Sequence, residues 1–341
     1  MIPKVGFVVL SWNGAKLLKN CLDALYEQSE KSFHVVVVDN GSNDNTNDIV
    51  KTHQLVSQLT YFRNEKNLGY AKANNQGIKL LLENHPKLQY IVLLNNDAEL
   101  SPNWLKTMLG YMRTHKDVGL AQGSNYSTGA MDTYDSTGIY LEEGFIPRQR
   151  ASGKTTKDLE ITSVGPNAAA VILRRTLIDD ISYKGNLLDD RFFAYVEDVD
   201  MLLRAFSRGW KHAFVAKATA IHIGSVTGER VSTKKMYWGT RNLIWLLTKN
   251  VPIIVLRKKF KKIAVSHLAN MQFLYRSNKT LFWAYMRGFV VGIVLSPLMY
   301  RKRSYISKHR AVEKETYLQI LTPSAPPLNN PIKALRRKLH G

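Results

Sequence analysis

Three short polar clusters and one acidic stretch hold the side chains of this sequence best suited to chemistry. Ser11-Trp12-Asn13, Asp39-Asn40-Gly41-Ser42 and Asn95-Asn96-Asp97 each follow an apolar run directly, the runs being Val5–Leu10, Val35–Val38 and Tyr90–Leu94. Singly, each cluster is open to two readings. Asn, Asp, Gly and Ser make turns and helix caps, and the same oxygens and amides can line a ligand site. A lone Asp97 is more often a cap than a metal ligand. His222, at the end of a strand-like run, is either a hydrogen-bonded strand end or a ligand. Glu197-Asp198-Val199-Asp200 opens a helical stretch that continues to Arg208, so its carboxylates stand where the helix dipole stabilises negative charge. Asp200 and Arg204 lie four residues apart on one helix face and form a supporting pair.

The elements that must position these residues follow from the apolar pattern. Strand-like runs at Val5–Leu10, Val35–Val38, Thr60–Phe62 and Tyr90–Leu94 alternate with helical segments such as Ala15–Gln28 and Ala71–Glu83. This predicts an α/β fold with a mainly parallel sheet flanked by helices. Continuous runs such as VVVV and YIVLL are buried on both faces, as a sheet between helices requires. Ligands of such sheets bind beyond the carboxyl ends of the strands. The three clusters converge on that edge, and three together favour a site over three separate turns. Residues 118–223 mix short strands (Val118–Gln122, Ala168–Leu173, His212–Val215) with loops and the helix Val199–Arg208.

A chain of 341 residues with 45% hydrophobic content can bury a full α/β core, which excludes disorder along its whole length. Its single cysteine, Cys21, cannot form an internal disulfide, in keeping with a reducing compartment, the cytoplasm by default. The opening MIPKVGFVVLSWNG reads as a buried strand and not as a signal peptide, because its apolar run is short.

The net charge of +21 is unevenly spread: residues 230–341 hold 23 Lys and Arg against only Glu313 and Glu315, and residues 1–229 are balanced. The basic third predicts an anionic partner, a phospholipid surface or a nucleic acid. No nucleic-acid module is recognisable, and the basic residues are interleaved with large apolar ones. From about 234, Trp238, Trp245, Leu246 and Leu247, then Leu256, Phe260, Ile263, Ala264 and Leu268, recur at helical spacing beside Lys258, Lys259, Lys261 and Lys262. These read as basic amphipathic helices lying on a membrane surface. Between Phe282 and Tyr300 the uninterrupted apolar stretch Gly288–Met299 has twelve residues, short of the roughly twenty a spanning helix needs. Pro323, Pro326, Pro327 and Pro331 ahead of Lys333, Arg336, Arg337 and Lys338 predict a poorly ordered basic tail.

In fixed order, VVLSWNG (8–14), VVDNGSND (37–44), NEKNLGYAKANNQGI (64–78), LLNNDAEL (93–100), FFAYVEDVDMLLRAFSRGW (192–210) and IHIGSV (221–226) resemble the inverting family 2 glycosyltransferases of the GT-A fold, particularly their bacterial rhamnosyltransferase-like branch. The resemblance spans about residues 5–230. It implies a GT-A catalytic domain at 1–230, with a nucleotide-binding half at 1–100 and an acceptor half at 101–230. A basic, membrane-associating helical region then occupies 231–320, and the flexible tail 321–341.

It also implies roles. Asp39 would bond the nucleotide base, as an acceptor-only carboxylate suits an N–H donor. Ser11, Asn13, Gly69, Lys72, Asn95 and Asn96 would complete the nucleotide pocket. Asp97, with His222, would hold Mn2+ or Mg2+, Glu99 being a weaker candidate, and Asn95 departs from the family pattern by replacing its first carboxylate. Asp198 would be the general base and Glu197 its orienting neighbour. The implied partners are a dTDP- or UDP-linked sugar donor, with dTDP-rhamnose foremost, and a saccharide acceptor linked to lipid. The implied location is the inner face of the cell membrane, where the enzyme is peripheral and binds no nucleic acid.

Overall fold

Valine-rich strands buried on both faces set the centre of the structure, a computed structural model that describes residues 3–128, 130–150, 165–224 and 232–323. The first half runs β1 (Val5–Ser11), α1 (Ala15–Tyr26), β2 (Phe33–Asp39), α2 (Thr46–Thr52), β3 (Leu59–Arg63), α3 (Tyr70–Asn84) and β4 (Tyr90–Asn95). Its strands lie parallel in the order β3-β2-β1-β4, with Val8 opposite both Val36 and Leu93. Alternation assigns the faces. Phe7 and Val9 pack with Leu18 and Leu22 of α1, whereas Val8 and Val38 pack under Ile78 and Leu81 of α3.

The second half comprises β5 (Ala98–Leu100), α4 (Trp104–Thr114), β6 (Val118–Ser127), β7 (Ala130–Ser136), β8 (Ile139–Glu142), β9 (Pro147–Gln149), β10 (Ala170–Arg174), α5 (Arg175–Ile181), α6 (Glu197–Ser207) and β11 (Lys211–His222). The sheet continues from β4 as β10-β6-β11-β5. β10 is antiparallel to both neighbours, β11 is parallel to β6, and β7 hangs antiparallel on β6. The parallel half is the one the alternation of runs predicts. The remainder is mixed, because an apolar run reports burial and not chain direction.

The C-terminal elements are α7 (Thr233–Asn250), α8 (Ile253–Ser277), α9 (Lys279–Val294), α10 (Tyr300–Lys308) and β12 (Leu321–Thr322). Leu243, Leu246 and Leu247 of α7, with Val251 and Val255, join the same core as Val8 and Ile78. The boundary expected at 230 therefore does not separate two cores, and α7 is a core helix where a surface helix was expected. The chain returns to the body a second time. Tyr317 is fully buried, and β12 pairs with β8 at the start of the expected tail; residues 324–341 lie outside the described residues.

Buried charge fixes α7 more tightly than apolar packing alone. Asp200 of α6, wholly buried, accepts from Arg204 Nε at 3.0 Å, Lys249 Nζ at 2.9 Å and Asn250 Nδ2 at 2.8 Å. Lys249 also reaches Asp189 at 2.8 Å, and Asp189 takes Lys302 of α10 at 2.5 Å. On the outer side, α9 lies directly on α7 through Gly288 and Gly292. A Cβ at Gly288 would stand 2.5 Å from the Tyr237 carbonyl oxygen.

The outer faces of α8 and α9 remain uncovered. Phe260, Leu268, Trp283 and Val294 are each more than 60% exposed, so the predicted stripe on α8 divides: Leu256 and Ile263 pack inward while Phe260 and Leu268 face out. Among the described residues no single helix is long and apolar enough to cross a membrane. The pair Lys279–Val294 and Ser296–Lys308 is apolar enough only together, and is bent by 57°.

Burial opposes ionisation of Asp189, but the charges and hydrogen bonds of Lys249 and Lys302 outweigh it and hold the carboxyl below the ordinary value of 3.8. A depressed carboxyl contributes stability that is complete above its unfolded pKa and drains away as pH falls below it. Denaturant melts from pH 7 to pH 3 should show that loss in the parent chain. Asp189→Asn should flatten this dependence while costing ~3 kcal/mol at pH 7, since it leaves Lys302 without its carboxylate and Lys249 and Arg204 sharing Asp200 alone.

Candidate active site

Strand register brings the three polar clusters to one edge. Ser11 stands opposite Asp39 at the ends of β1 and β2, and Leu10 stands opposite Asn95. There they bond chiefly to one another. Asn13, at φ 50°, donates its N–H to Ser42 Oγ at 2.9 Å and accepts from Asn43 N at 2.8 Å. Asn96 Nδ2 reaches Ser11 Oγ at 3.3 Å. Asn95 is tied to the residue preceding β10 through its N–H, which donates to the Ala169 carbonyl at 2.9 Å.

Asp39 is 1% exposed and accepts from Ser42 N at 2.8 Å and from Tyr61 Oη at 2.7 Å, with Arg63 Nε at 3.4 Å. It therefore makes the turn-capping contact that was the alternative reading of its cluster. Lys72 is exposed on the first turn of α3. Glu99 accepts from Asn20 Nδ2 at 3.0 Å and is thereby bound to α1.

Gly69 was expected where the backbone must approach something closely, and its neighbour is the chain itself. With φ at 86°, a Cβ there would lie 2.5 Å from the Phe193 carbonyl oxygen. Phe193, Tyr195 and Val196 all have positive φ, at 65°, 70° and 71°, a costly conformation for bulky residues that surrounding contacts must enforce. Asn242 of α7 supplies them. Wholly buried, its Nδ2 donates to the carbonyls of Phe192 and Ala194 at 2.9 Å and of Tyr195 at 2.7 Å. Arg241 adds bonds to the Arg191 and Phe192 carbonyls. This clamp aims the acidic end of α6. Sequence reading missed Asn242, whose only signal is an amide set among the core-facing residues of an apolar helix.

At that end Glu197 is 7% exposed, and its Oε2 is buried without a hydrogen-bond partner among the described residues. Burial, then the neighbouring Asp198 charge, pushes its pKa well above the ordinary range. Asp198 accepts from Val199 N at 2.8 Å. Its pKa is raised by burial, against the opposing pull of the Val199, Asp198 and Ala168 backbone amides. Tyr70 joins the two halves of the site. Its hydroxyl donates to the Ala168 carbonyl at 3.0 Å, and burial, then the charges of Glu197, Asp198 and Asp97, hold it protonated.

Asp97 and His222 meet because β5 pairs antiparallel with β11, leaving His222 opposite Ala98. His222 Nε2 lies 3.3 Å from Asp97 Oδ1, and Nδ1 lies 2.8 Å from Oδ2 of Asp135 on β7. Burial lowers the imidazole pKa, but the bonds to Asp135 and Asp97 and their charges outweigh it and raise the pKa to about 10. The ring is thus an imidazolium between two carboxylates. Among the described residues no three His, Cys, Asp or Glu side chains are gathered as for a metal ion. Even so, apart from His222, Asp97 Oδ1 is buried with no hydrogen bond among the described residues. A buried carboxylate oxygen whose contact is an imidazole nitrogen fits a divalent cation that displaces the ring proton. Asp135 had no signal in the sequence beyond being an aspartate in a short strand.

The family model described as glycosyl transferase family 2 matches residues 7–179. The chain belongs to that family. GlyG of Streptococcus pneumoniae is 25% identical over 39% of this chain and 42% of its own length, and GlyA of the same organism is 24% identical over 36% and 17%. The match thus spans less than half of either relative. Glycosyltransferase RT0329 of Rickettsia typhi is 27% identical over 69% of both chains. Staphylococcus aureus TarS, solved with UDP-GlcNAc, superposes with a TM-score of 0.57 over 96% of this chain and 95% of that one, at 16% identity. A Pyrobaculum calidifontis mannosyltransferase with GDP-Man and Mn2+ gives 0.52 over 94% and 84%, also at 16% identity. The fold of this family 2 chain is accordingly GT-A, with a mixed sheet and a helical C-terminal region. Asn242→Ala should loosen its 192–195 loop, read as faster limited proteolysis there and a loss of ~1–3 kcal/mol in denaturant melts, with the sheet core intact.

Proposed function

We propose that this family 2 chain moves a sugar from a nucleotide-linked donor to a saccharide hydroxyl, with inversion, in a single displacement. The observation that carries the reading is the strand register that brings the Ser11, Asp39 and Asn95 clusters to one edge, with Tyr70 bonded there to the Ala168 carbonyl. Ser11, Asn13, Lys72, Asn95 and Asn96 form the nucleotide pocket. Asp39 takes a base N–H once the Tyr61 hydroxyl or Arg63 gives way. Asp97 and His222 would hold Mn2+ or Mg2+, which when bound would balance the charge of the diphosphate leaving group.

Asp198 is the base. The acceptor oxygen bonds to the anomeric carbon as the bond to diphosphate breaks, and the hydroxyl proton passes to Asp198. Burial raises its pKa, which makes it a stronger proton acceptor than an ordinary aspartate once ionised. No covalent enzyme intermediate is needed.

dTDP-rhamnose is the first donor to test, on the wording of the 192–210 segment. UDP-linked galactofuranose, N-acetylhexosamine and hexose are the alternatives. The acceptor is a lipid-linked saccharide, met at the inner face of the cell membrane. The exposed Phe260 and Leu268 beside Arg257, Lys258 and Lys261 of α8 support that location.

Turnover and thermal-shift screens with dTDP-, UDP- and GDP-sugars, with and without Mn2+ or Mg2+, test the reading. One donor should stabilise the chain in a metal-dependent way that Asp97→Ala abolishes. Silence with every donor would overturn the assignment. Asp198→Asn should lower kcat by at least ~100-fold with donor affinity unchanged. The acid limb of kcat/KM should lie above the ordinary aspartate value, since Asp198 must be ionised to act.

A further inference from the structure

A cavity of about 330 Å3 opens beside the buried charge network, between the segment 183–191 and α10. Six cations line it against two carboxylates, Asp189 and Asp190. Lys249 and Lys302 are engaged by Asp189, and Arg204 by Asp200. Asp190 is occupied by amide donors from Asn75 and Asn186. Lys184, Arg191 and Arg301 are exposed at the wall and, among the described residues, form no ion pair with a carboxylate. Three cations without counter-charge around a polar hollow of this size make an anion site of phosphate or diphosphate dimensions.

The rim decides what the anion is attached to. Leu298 lines the cavity and is 43% exposed, and Val294 and Leu295, 66% and 38% exposed, continue from it along the uncovered apolar face. A ligand matching both surfaces has an anionic head and an apolar chain. We propose that this cavity binds the phosphate or diphosphate head of a membrane lipid, with the lipid chain leaving over Leu298 and Val294. The proposal rests on the reading that the chain works at a membrane surface. It adds to that reading a specific headgroup pocket, apart from the Asp97 and Asp198 residues and walled on one side by the turn that precedes the clamped 192–195 loop.

Farnesyl diphosphate, farnesol and inorganic diphosphate, titrated against the full chain by calorimetry, separate head from tail. Farnesyl diphosphate should bind at least ~10-fold more tightly than either fragment, and the double variant Lys184→Ala/Arg301→Ala should lose that ~10-fold. Both side chains are exposed and outside the catalytic residues, so the variant should keep the parent melting temperature. Equal affinity for farnesol and farnesyl diphosphate, or an unchanged affinity in the double variant, would overturn the proposal. Inorganic diphosphate binding as tightly as farnesyl diphosphate would leave a free-anion site and overturn the lipid assignment. Co-sedimentation with phosphatidylglycerol vesicles, lost in Phe260→Ser/Leu268→Ser, tests the membrane reading separately. Failure there, with farnesyl diphosphate still bound through Lys184 and Arg301, would sink the location and spare the pocket.

Discussion

Lys249 is the residue on which the arrangement of this molecule turns. Its side chain is 3% exposed and its ammonium lies between Asp189 and Asp200, a place where any one of the three charges alone would be prohibitively costly. The three make sense only together. Their union fixes α7 against α6 and so sets where the acidic end of α6 points. Asp200 illustrates the division of labour within one short stretch. Burial opposes its ionisation, Lys249 and Arg204 restore it, and its pKa ends below the ordinary value. Glu197, one turn away, has no such cation and goes the opposite way. A single helix start thus carries one carboxylate committed to structure and two held in a state suited to moving protons.

Most of the first half was legible because its signals are local. Continuous valine runs, helix-period segments between them and polar residues at the run ends define β1 to β4 and the edge they share. The same locality leaves unread the partners that the fold itself supplies. Asp39 reads as a ligand residue, yet its carboxylate oxygens are engaged by Ser42, Tyr61 and Arg63. Gly69 reads as making room for a ligand, and makes room for Phe193. Both are cases where the fold uses a residue's chemistry for itself first.

The C-terminal third was legible in composition and misleading in placement. Lysine and arginine counts suggest a surface region, but Lys249 and Asn242 are interior, and the information that puts them there lies in Asp189, Asp200 and the carbonyls of 192–195, far away in sequence. Direction and pairing of strands in the second half are equally non-local. β10 enters antiparallel after the excursion through β7, β8 and β9, and β12 closes onto β8 from the far end of the chain. Asp135 reaches His222 only through that excursion.

The contact between α7 and α9 has a mechanical meaning. With glycine at 288 the α9 backbone faces the Tyr237 carbonyl directly, and with glycine at 292 it closes on the Ile244 side chain and the Arg241 carbonyl. Interiors packed this closely are nearly incompressible and transmit strain. On its other flank α7 grips the 192–195 carbonyls through Asn242. The helix therefore stands as a strut between the outer apolar surface and the positive-φ backbone that precedes Glu197.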